Sequence, residues 1–123
     1  MTDCGGYDTD NVFARILRGE IPADKVLETE HALGFHDISK QAPVHVLVIP
    51  KGPYATLDDF VRKAGAARQA GLFAAIAMVV EQLDLAEGGY RVLANNGVAA
   101  RQEVPHLHFH VLAGRDLGGL LPS

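Results

Sequence analysis

The sequence predicts an α+β domain in which a five-stranded antiparallel sheet packs against one short and one long helix. Five short runs rich in β-branched and aromatic residues have the length and composition of strands. An amphipathic run near the N-terminus and a long apolar run in the second half are typical of helices. With 123 residues, 48% of them hydrophobic, the chain has the size and apolar content of one domain.

The first predicted element is a short helix over residues 10–18. Asp and Thr residues precede it as N-cap candidates, its apolar residues share one face, and Gly19 and Pro22 follow as stop signals. We therefore predict a flexible N-terminus over residues 1–9 and a single domain over residues 10–123.

Three predicted strands follow the short helix. DKVLET (24–29) and ALGFHD (32–37) predict an antiparallel pair. VHVLVIP (44–50) is rich in valine and apolar on both faces, which predicts a central strand covered on both sides. Residues 51–63 contain a Gly-Pro pair and predict a loop.

The longest predicted element is a helix over residues 65–86. Its apolar residues cover most of the circumference, with one stripe widened by three further residues: Leu72, Ile76, Val79 and Leu83, then Phe73, Ala77 and Val80. Such a helix needs cover on two sides. A core helix of a monomer is one interpretation, but we favour a homodimer through this helix, in which two sheets could join into one of ten strands.

Two strands complete the prediction, YRVLAN (90–95) and HLHFHVLAG (106–114). The loop between them, from Asn96 to Val104, is long for so small a domain. Long loops in compact domains often carry function, so we expect this one to contribute to a site.

Composition excludes several classes of protein. Fifteen acidic and eleven basic residues give a net charge of −4, and no basic stretch suggests a nucleic-acid or membrane-surface footprint. The apolar run over residues 71–80 is too short to cross a bilayer. The single cysteine, Cys4, precludes an intrachain disulfide and predicts a flexible, unremarkable thiol. The acidic first ten residues do not resemble a secretory signal, so we expect a cytoplasmic protein.

Three histidines alternate with apolar residues in VPHLHFHVLAGR. His106, His108 and His110 would share one face of a strand, and the apolar residues between them the other. They could be hydrogen-bonded or solvent-facing histidines, zinc ligands, or a nucleophile with acid–base neighbours. Few further metal ligands lie near them in the sequence, while Asn95 and Gln102 could donate to phosphoryl oxygens. The pattern therefore favours phosphorus chemistry.

HLHFHVL, residues 106–112, resembles the His-x-His-x-His-x-x signature of the histidine triad (HIT) family. VFARILRGEIPADKV, FHDISKQAPVHVLVIPK, GYRVLANNG and HVLAGR also follow the family's order and spacing. The chain is most similar to the Hint branch of purine nucleotide-binding phosphoramidases, and His110 favours hydrolases over the nucleotidyltransferase branch, which has glutamine there. Asn11 and Ala14 stand where some bacterial relatives have a zinc-binding cysteine pair, so no metal is expected.

The resemblance implies roles for four histidines. His108 would attack the α-phosphorus and form a covalent nucleotidyl-histidine. His110 would hydrogen-bond the phosphate, and His106 would orient His108 through its backbone carbonyl. His45 would complete the set of groups that handle protons.

The resemblance also implies a nucleotide site. Asp37 would hold the ribose hydroxyls, while Asn95, Gln102 and the adjoining amides of Arg101 and Glu103 would bind the phosphate and leaving group. The implied walls of the base pocket are Val12, Phe13, Ile16, Phe35, Ile38 and Leu47, with His36 at the edge. Arg101 stands where many relatives have glycine and Glu103 where some have serine, which leaves the preferred leaving group open.

The resemblance implies a cofactor-independent hydrolase that cleaves the P–N bond of purine nucleoside 5′-phosphoramidates. A dinucleoside polyphosphate hydrolase of the same family, a non-catalytic nucleotide-binding protein and a zinc hydrolase are the alternatives. The physiological substrate and any protein partner are not apparent from the sequence.

Overall fold

The computed structural model describes residues 6–121. Its elements in chain order are α1 (Val12–Leu17), β1 (Lys25–Glu28), β2 (Ala32–His36), β3 (Val44–Pro50), α2 (Leu57–Ala64), α3 (Ala66–Gln82), β4 (Tyr90–Leu93) and β5 (Phe109–Ala113). The strands form one antiparallel sheet in the order β1-β2-β3-β5-β4. The predicted α+β class and five-stranded sheet are confirmed.

Strand β3 lies at the centre of the sheet, as its valine-rich sequence predicts. It pairs with β2 on one side and with β5 on the other. In this register Leu47 lies between Phe35 of β2 and His110 of β5. The pairing thereby brings residues from three distant parts of the sequence to one place on the sheet.

The helices differ from the prediction, because the structure has three among residues 6–121 rather than two. Helix α2 occupies part of the segment predicted as a loop. The side chain of Thr56 caps it by accepting a hydrogen bond from the amide of Asp59. Gly65, with φ of +81°, separates α2 from α3.

Helix α3 is shorter than predicted at its C-terminal end. It stops at Gln82 rather than near residue 86. Asp84 has φ of +57°, a left-handed conformation that a helix cannot continue through. The apolar residues Leu83 and Leu85 beyond the stop still pack against the core, which explains why the apolar pattern looked longer than the helix.

The sheet has a different apolar cluster on each face. Helix α3 covers one face, where Leu107, Phe109 and Val111 join the larger cluster. Phe13 of α1 covers a smaller cluster with Leu33, Phe35, Leu47 and Ile49. Ring contacts join Phe13 to His106 and His108. The histidines therefore face away from α3, as their alternation predicts, although β5 begins only at Phe109.

The described part of the N-terminal segment includes a buried aromatic residue. Within the segment 1–9 that was predicted to be flexible, Tyr7 is buried, with 5% of its surface exposed. Residues 1–5, and with them Cys4, lie outside the described residues. The N-cap of α1 is Asn11, whose side chain accepts from the amide of Ala14, rather than one of the preceding Asp or Thr residues.

None of the helices between residues 6 and 121 is long and apolar enough to cross a membrane.

Candidate active site

A cavity of about 1140 Å³ opens where α1, β2, β3, β5 and the loop before β5 meet. Its lining includes all of the predicted site residues except His106 and Gln102: Val12, Phe13, Ile16, Phe35, His36, Asp37, Ile38, His45, Leu47, Asn95, Arg101, Glu103, His108 and His110. The volume is slightly above the usual range for small-molecule sites, about 300–1,000 Å³. The structure thus brings the predicted residues together around one cavity.

Several cavity residues were not predicted: Ile21, Pro22, Ala23, Asp24, Ser39, Gln41, Ala100 and Val104. Ile21, Pro22, Ala23 and Asp24 lie in the segment between α1 and β1. The carbonyl of Asp24 accepts from the amide of His36, which folds this segment back against the end of β2. The helix stop signals at Gly19 and Pro22 indicated that the chain turns here, but not what it turns towards.

His108 has a fixed proton arrangement. Its Nδ1 lies 2.7 Å from the backbone carbonyl oxygen of His106, and a carbonyl can only accept, so Nδ1 carries the proton. The other ring nitrogen, Nε2, then keeps its lone pair. Burial lowers the pKa of His108, with the His106 carbonyl and the charges of Asp37 and Glu103 opposing the shift. His108 is therefore a neutral imidazole with one free basic nitrogen at pH 7.

His45 and His110 form a directed hydrogen-bond chain. The amide N–H of Gln41 donates to Nδ1 of His45 at 3.0 Å, so the proton of the neutral His45 ring is on Nε2. That Nε2 lies 2.8 Å from Nδ1 of His110 and donates to it. His110 must then carry its own proton on Nε2.

The Nε2 atom of His110 is buried and meets no hydrogen-bonding partner within residues 6–121. Burial, with His108 and His45 nearby, lowers the pKa of His110 to about 4. At neutral pH it is an uncharged donor with no acceptor among the described residues, and His110 lines the cavity. An anionic oxygen in the cavity would supply the missing acceptor.

Asp37, His45 and His110 each place one potential metal-ligand atom within 4.8 Å of the others. The Gln41 amide decides against a metal at this position. It holds the His45 proton on Nε2, and this nitrogen, which lies 3.4 Å from the Asp37 carboxylate, would have to be the ligand. A ligating histidine instead directs its second N–H at an acceptor. The trio fits a hydrogen-bond chain rather than a metal site.

His106 and Gln102 do not line the cavity, contrary to the expectation of direct contact for Gln102. The Gln102 amide donates to the carbonyls of Ala55 and Val104 and accepts from the amide of Gly97. These hydrogen bonds engage the Gln102 side chain in holding the loop before β5 closed. His106 is fully buried, and burial lowers its pKa to about 4.

Two oppositely charged residues, Arg101 and Glu103, lie at the cavity rim beside Asn95. Arg101 has φ of +60°, the left-handed region that costs a non-glycine residue about 1–2 kcal/mol. Its amide donates to the carbonyl of Val98, so this N–H is not free for a phosphate. Within residues 6–121 neither Arg101 nor Glu103 forms an ion pair.

Comparison with known proteins shows the family to which the chain belongs. The HIT domain model matches residues 18–117. The chain belongs to the HIT domain family. A 13.2 kDa HIT-like protein of Azospirillum brasilense is 63% identical over 115 residues, which cover 94% of each chain. The purine nucleoside phosphoramidase of Escherichia coli is 38% identical over 112 residues, 91% of this HIT protein and 93% of the relative.

Solved HIT structures share the fold. A HIT family hydrolase from Clostridium thermocellum superposes with a TM-score of 0.82 at 40% identity, covering 89% of this chain and 95% of the other. A histidine triad nucleotide-binding protein from Candida albicans gives a TM-score of 0.81 at 34% identity, with 93% and 84% covered. The family membership that HLHFHVL indicates is confirmed.

Proposed function

We propose that this HIT protein hydrolyses the P–N bond of purine nucleoside 5′-phosphoramidates through a covalent nucleotidyl-histidine. The observation that carries the proposal is the state of His108, whose Nδ1–H is held by the His106 carbonyl while Nε2 keeps its lone pair at a cavity of nucleotide size. Similarity to HIT hydrolases, one of them a phosphoramidase by name, supports the same reaction class.

The chemistry proceeds in two displacements. Nε2 of His108 attacks the α-phosphorus, and the P–N bond breaks as the departing amine takes up a proton from solvent, which the attacking water of the second step returns. Water then attacks the nucleotidyl-histidine, releases the nucleoside monophosphate and restores the imidazole. The N–H of His110 donates to a phosphoryl oxygen and stabilises the charge that develops there.

The cavity offers separate places for the parts of a nucleotide. The apolar side chains of Phe13, Phe35 and Leu47 form a surface for the base. The carboxylate of Asp37 is suited to accept hydrogen bonds from ribose hydroxyls. Arg101 and Glu103 lie at the rim, where an amine leaving group would depart.

The proposal includes a homodimer. Phe73 of α3, and Tyr90 and Val92 of β4, are exposed apolar residues. The ring of Phe73 contacts that of Phe109 in β5, so this side of α3 lies towards the β5–β4 end of the sheet. A second copy that pairs along β4 would cover these side chains and extend the sheet to ten strands. The cytoplasmic location expected from the sequence stays a prediction.

A substrate panel tests the function. Wild-type protein and His108→Ala are incubated with adenosine 5′-phosphoramidate, amine-substituted adenosine phosphoramidates and diadenosine polyphosphates, and AMP release is measured. We expect wild-type turnover of the phosphoramidates, loss of turnover in His108→Ala, and AMP affinity retained within about tenfold. Faster cleavage of the polyphosphates would favour the dinucleotide hydrolase, and binding without turnover the non-catalytic protein. Loss of wild-type activity on chelation would favour zinc chemistry.

A further inference from the structure

Tyr7 connects the N-terminal segment to the histidine strand. Its hydroxyl lies 2.6 Å from Nδ1 of His106, 99 residues away in the sequence, and both side chains are buried. The side-chain amide nitrogen of Asn11, Nδ2, lies 2.8 Å from the same hydroxyl oxygen. A buried polar chain thus runs from Asn11 through Tyr7 to His106.

The direction of each hydrogen bond in this chain can be assigned. Nε2 of His106 lies 3.0 Å from the carbonyl oxygen of Pro50, so it carries the proton and donates. Nδ1 of His106 is therefore an acceptor, and the Tyr7 hydroxyl donates to it. The Asn11 amide in turn donates to the Tyr7 oxygen. Both nitrogens of the His106 ring are satisfied, and a ring flip would lose both bonds in a place that water does not reach.

The buried polar chain of Asn11, Tyr7 and His106 connects to His108 by two routes. The first is the backbone of His106, whose carbonyl holds the Nδ1 proton of His108. The second is helix α1, which Asn11 caps through its other side-chain atom, Oδ1, on the amide of Ala14. Helix α1 carries Phe13, whose ring meets the His108 ring edge to face at 5.0 Å. Asn11 takes part in both routes.

We propose that Tyr7 and Asn11 are positioning residues for the nucleophile, acting through His106 and through Phe13. The inference rests on the proposed function for its kinetic consequence, but its structural content does not depend on turnover. Neither residue lines the cavity, so neither contacts the substrate. Their effect is on the orientation of His108 and on the tautomer of His106.

The variant Tyr7→Phe removes the hydroxyl and keeps the ring. Tyr54→Phe is the matched control, because Tyr54 is equally buried and its hydroxyl also has a hydrogen-bond partner, Arg68, on the face of the sheet away from the histidines. We expect Tyr7→Phe to lower kcat about tenfold or more, since small misplacements of a reacting group are costly, with KM changed less than twofold. Tyr54→Phe should keep kcat within about twofold of wild type at a similar loss of stability.

A second variant separates positioning from folding. Asn11→Ser keeps an oxygen that can cap α1 but removes the N–H that supports Tyr7, so it should fold and still lower kcat. Long-range ¹H–¹⁵N spectra of the imidazoles give a readout that needs no activity. Wild type should show single tautomers for His106 and His108, and Tyr7→Phe or Asn11→Ser should show mixed or broadened His106 signals.

The two readouts distinguish the inference from the proposed function. If wild-type protein cleaves no phosphoramidate but the histidine spectra change as expected, the function fails and the positioning role stands. Unchanged spectra together with equal kcat values in Tyr7→Phe and Tyr54→Phe would overturn the positioning role. If Tyr7→Phe does not fold, the same comparison is made with Asn11→Ser.

Discussion

Nδ1 of His108 lies 2.7 Å from the backbone carbonyl of His106, and this one hydrogen bond assigns the lone pair of His108 to Nε2. The acceptor belongs to the backbone, so no side-chain exchange at position 106 removes it directly. A parallel assignment through Gln41 and His45 gives His110 a free N–H. In the cavity, His108 thus presents an acceptor to a substrate and His110 presents a donor.

The donor role of His110 predicts different effects for two substitutions. In His110→Gln the amide oxygen can accept from His45 while the NH₂ donates to phosphate, whereas His110→Ala removes both. We expect His110→Ala to lower kcat/KM by about 10²–10³, the usual effect of losing one such donor. His110→Gln should retain at least about tenfold more activity than His110→Ala under steady-state assay. Equal losses in the two variants would contradict the donor role.

Arg101 is predicted to combine backbone strain with leaving-group selection. Glycine has no steric cost at a φ of +60°, so Arg101→Gly should raise the free energy of unfolding by about 1 kcal/mol in urea titrations. The same change should lower, about threefold, the kcat/KM ratio of a carboxylate-bearing amine over a neutral amine, because a positive charge is lost at the rim.

Glu103→Gln is the opposite control for Arg101→Gly. It removes a negative charge at the same rim and should raise that kcat/KM ratio. If both substitutions shift the kcat/KM ratio in the same direction, Arg101 and Glu103 do not discriminate between leaving groups by their charge.

The buried histidines predict acid sensitivity. In the folded protein burial lowers the pKa of His106 to about 4, while an unfolded histidine has a pKa of about 6.5. Between these values the unfolded chain binds more protons, so the free energy of unfolding falls as pH decreases from about 6.5 to about 4 and is unaffected above this window. The contribution of His106 reaches roughly 3 kcal/mol at the lower end.

Urea unfolding at several pH values measures this dependence, and His106→Asn is the matched variant. It should be less stable at neutral pH but show a shallower decrease between about pH 6.5 and 4. The same slope in both proteins would mean that His106 does not titrate as its burial implies.

The proposed dimer can be tested with a charge on its surface. Phe73→Glu places a carboxylate on the side of α3 that lies towards β5, and Val61→Glu places one on a similarly exposed apolar position of α2. We expect the wild type and Val61→Glu to elute as dimers in light scattering at micromolar concentration, and Phe73→Glu to dissociate. A monomeric wild type, or a dimeric Phe73→Glu, would argue against this interface.

The sequence predicts the sheet well because strand signals are local. β3 has the predicted bounds, and β1 and β2 lie within theirs, since alternation and β-branched residues act over a few neighbours. The sequence analysis missed helix α2 because Gly52 and Pro53 indicate a loop. The same segment also contains Thr56, which caps the helix.

The site was only partly predictable. The alternating histidines were found because motif and resemblance both identify them, and Asp37 because the resemblance implies it. Tyr7 and the Gln41 amide were missed, because their contacts with His106 and His45 depend on tertiary folding rather than on sequence periodicity. Gln102 was expected at the phosphate, but it closes its own loop instead.

The most direct test of the account is detection of the covalent intermediate. Wild-type protein is mixed with an adenosine phosphoramidate, quenched in the first turnover under conditions that preserve P–N bonds, digested and analysed by mass spectrometry. We expect an adenylyl group on the peptide that contains His106, His108 and His110, located to His108 by fragmentation and absent from His108→Ala. Turnover with no adduct, or an adduct that persists in His108→Ala, would contradict His108 as the nucleophile.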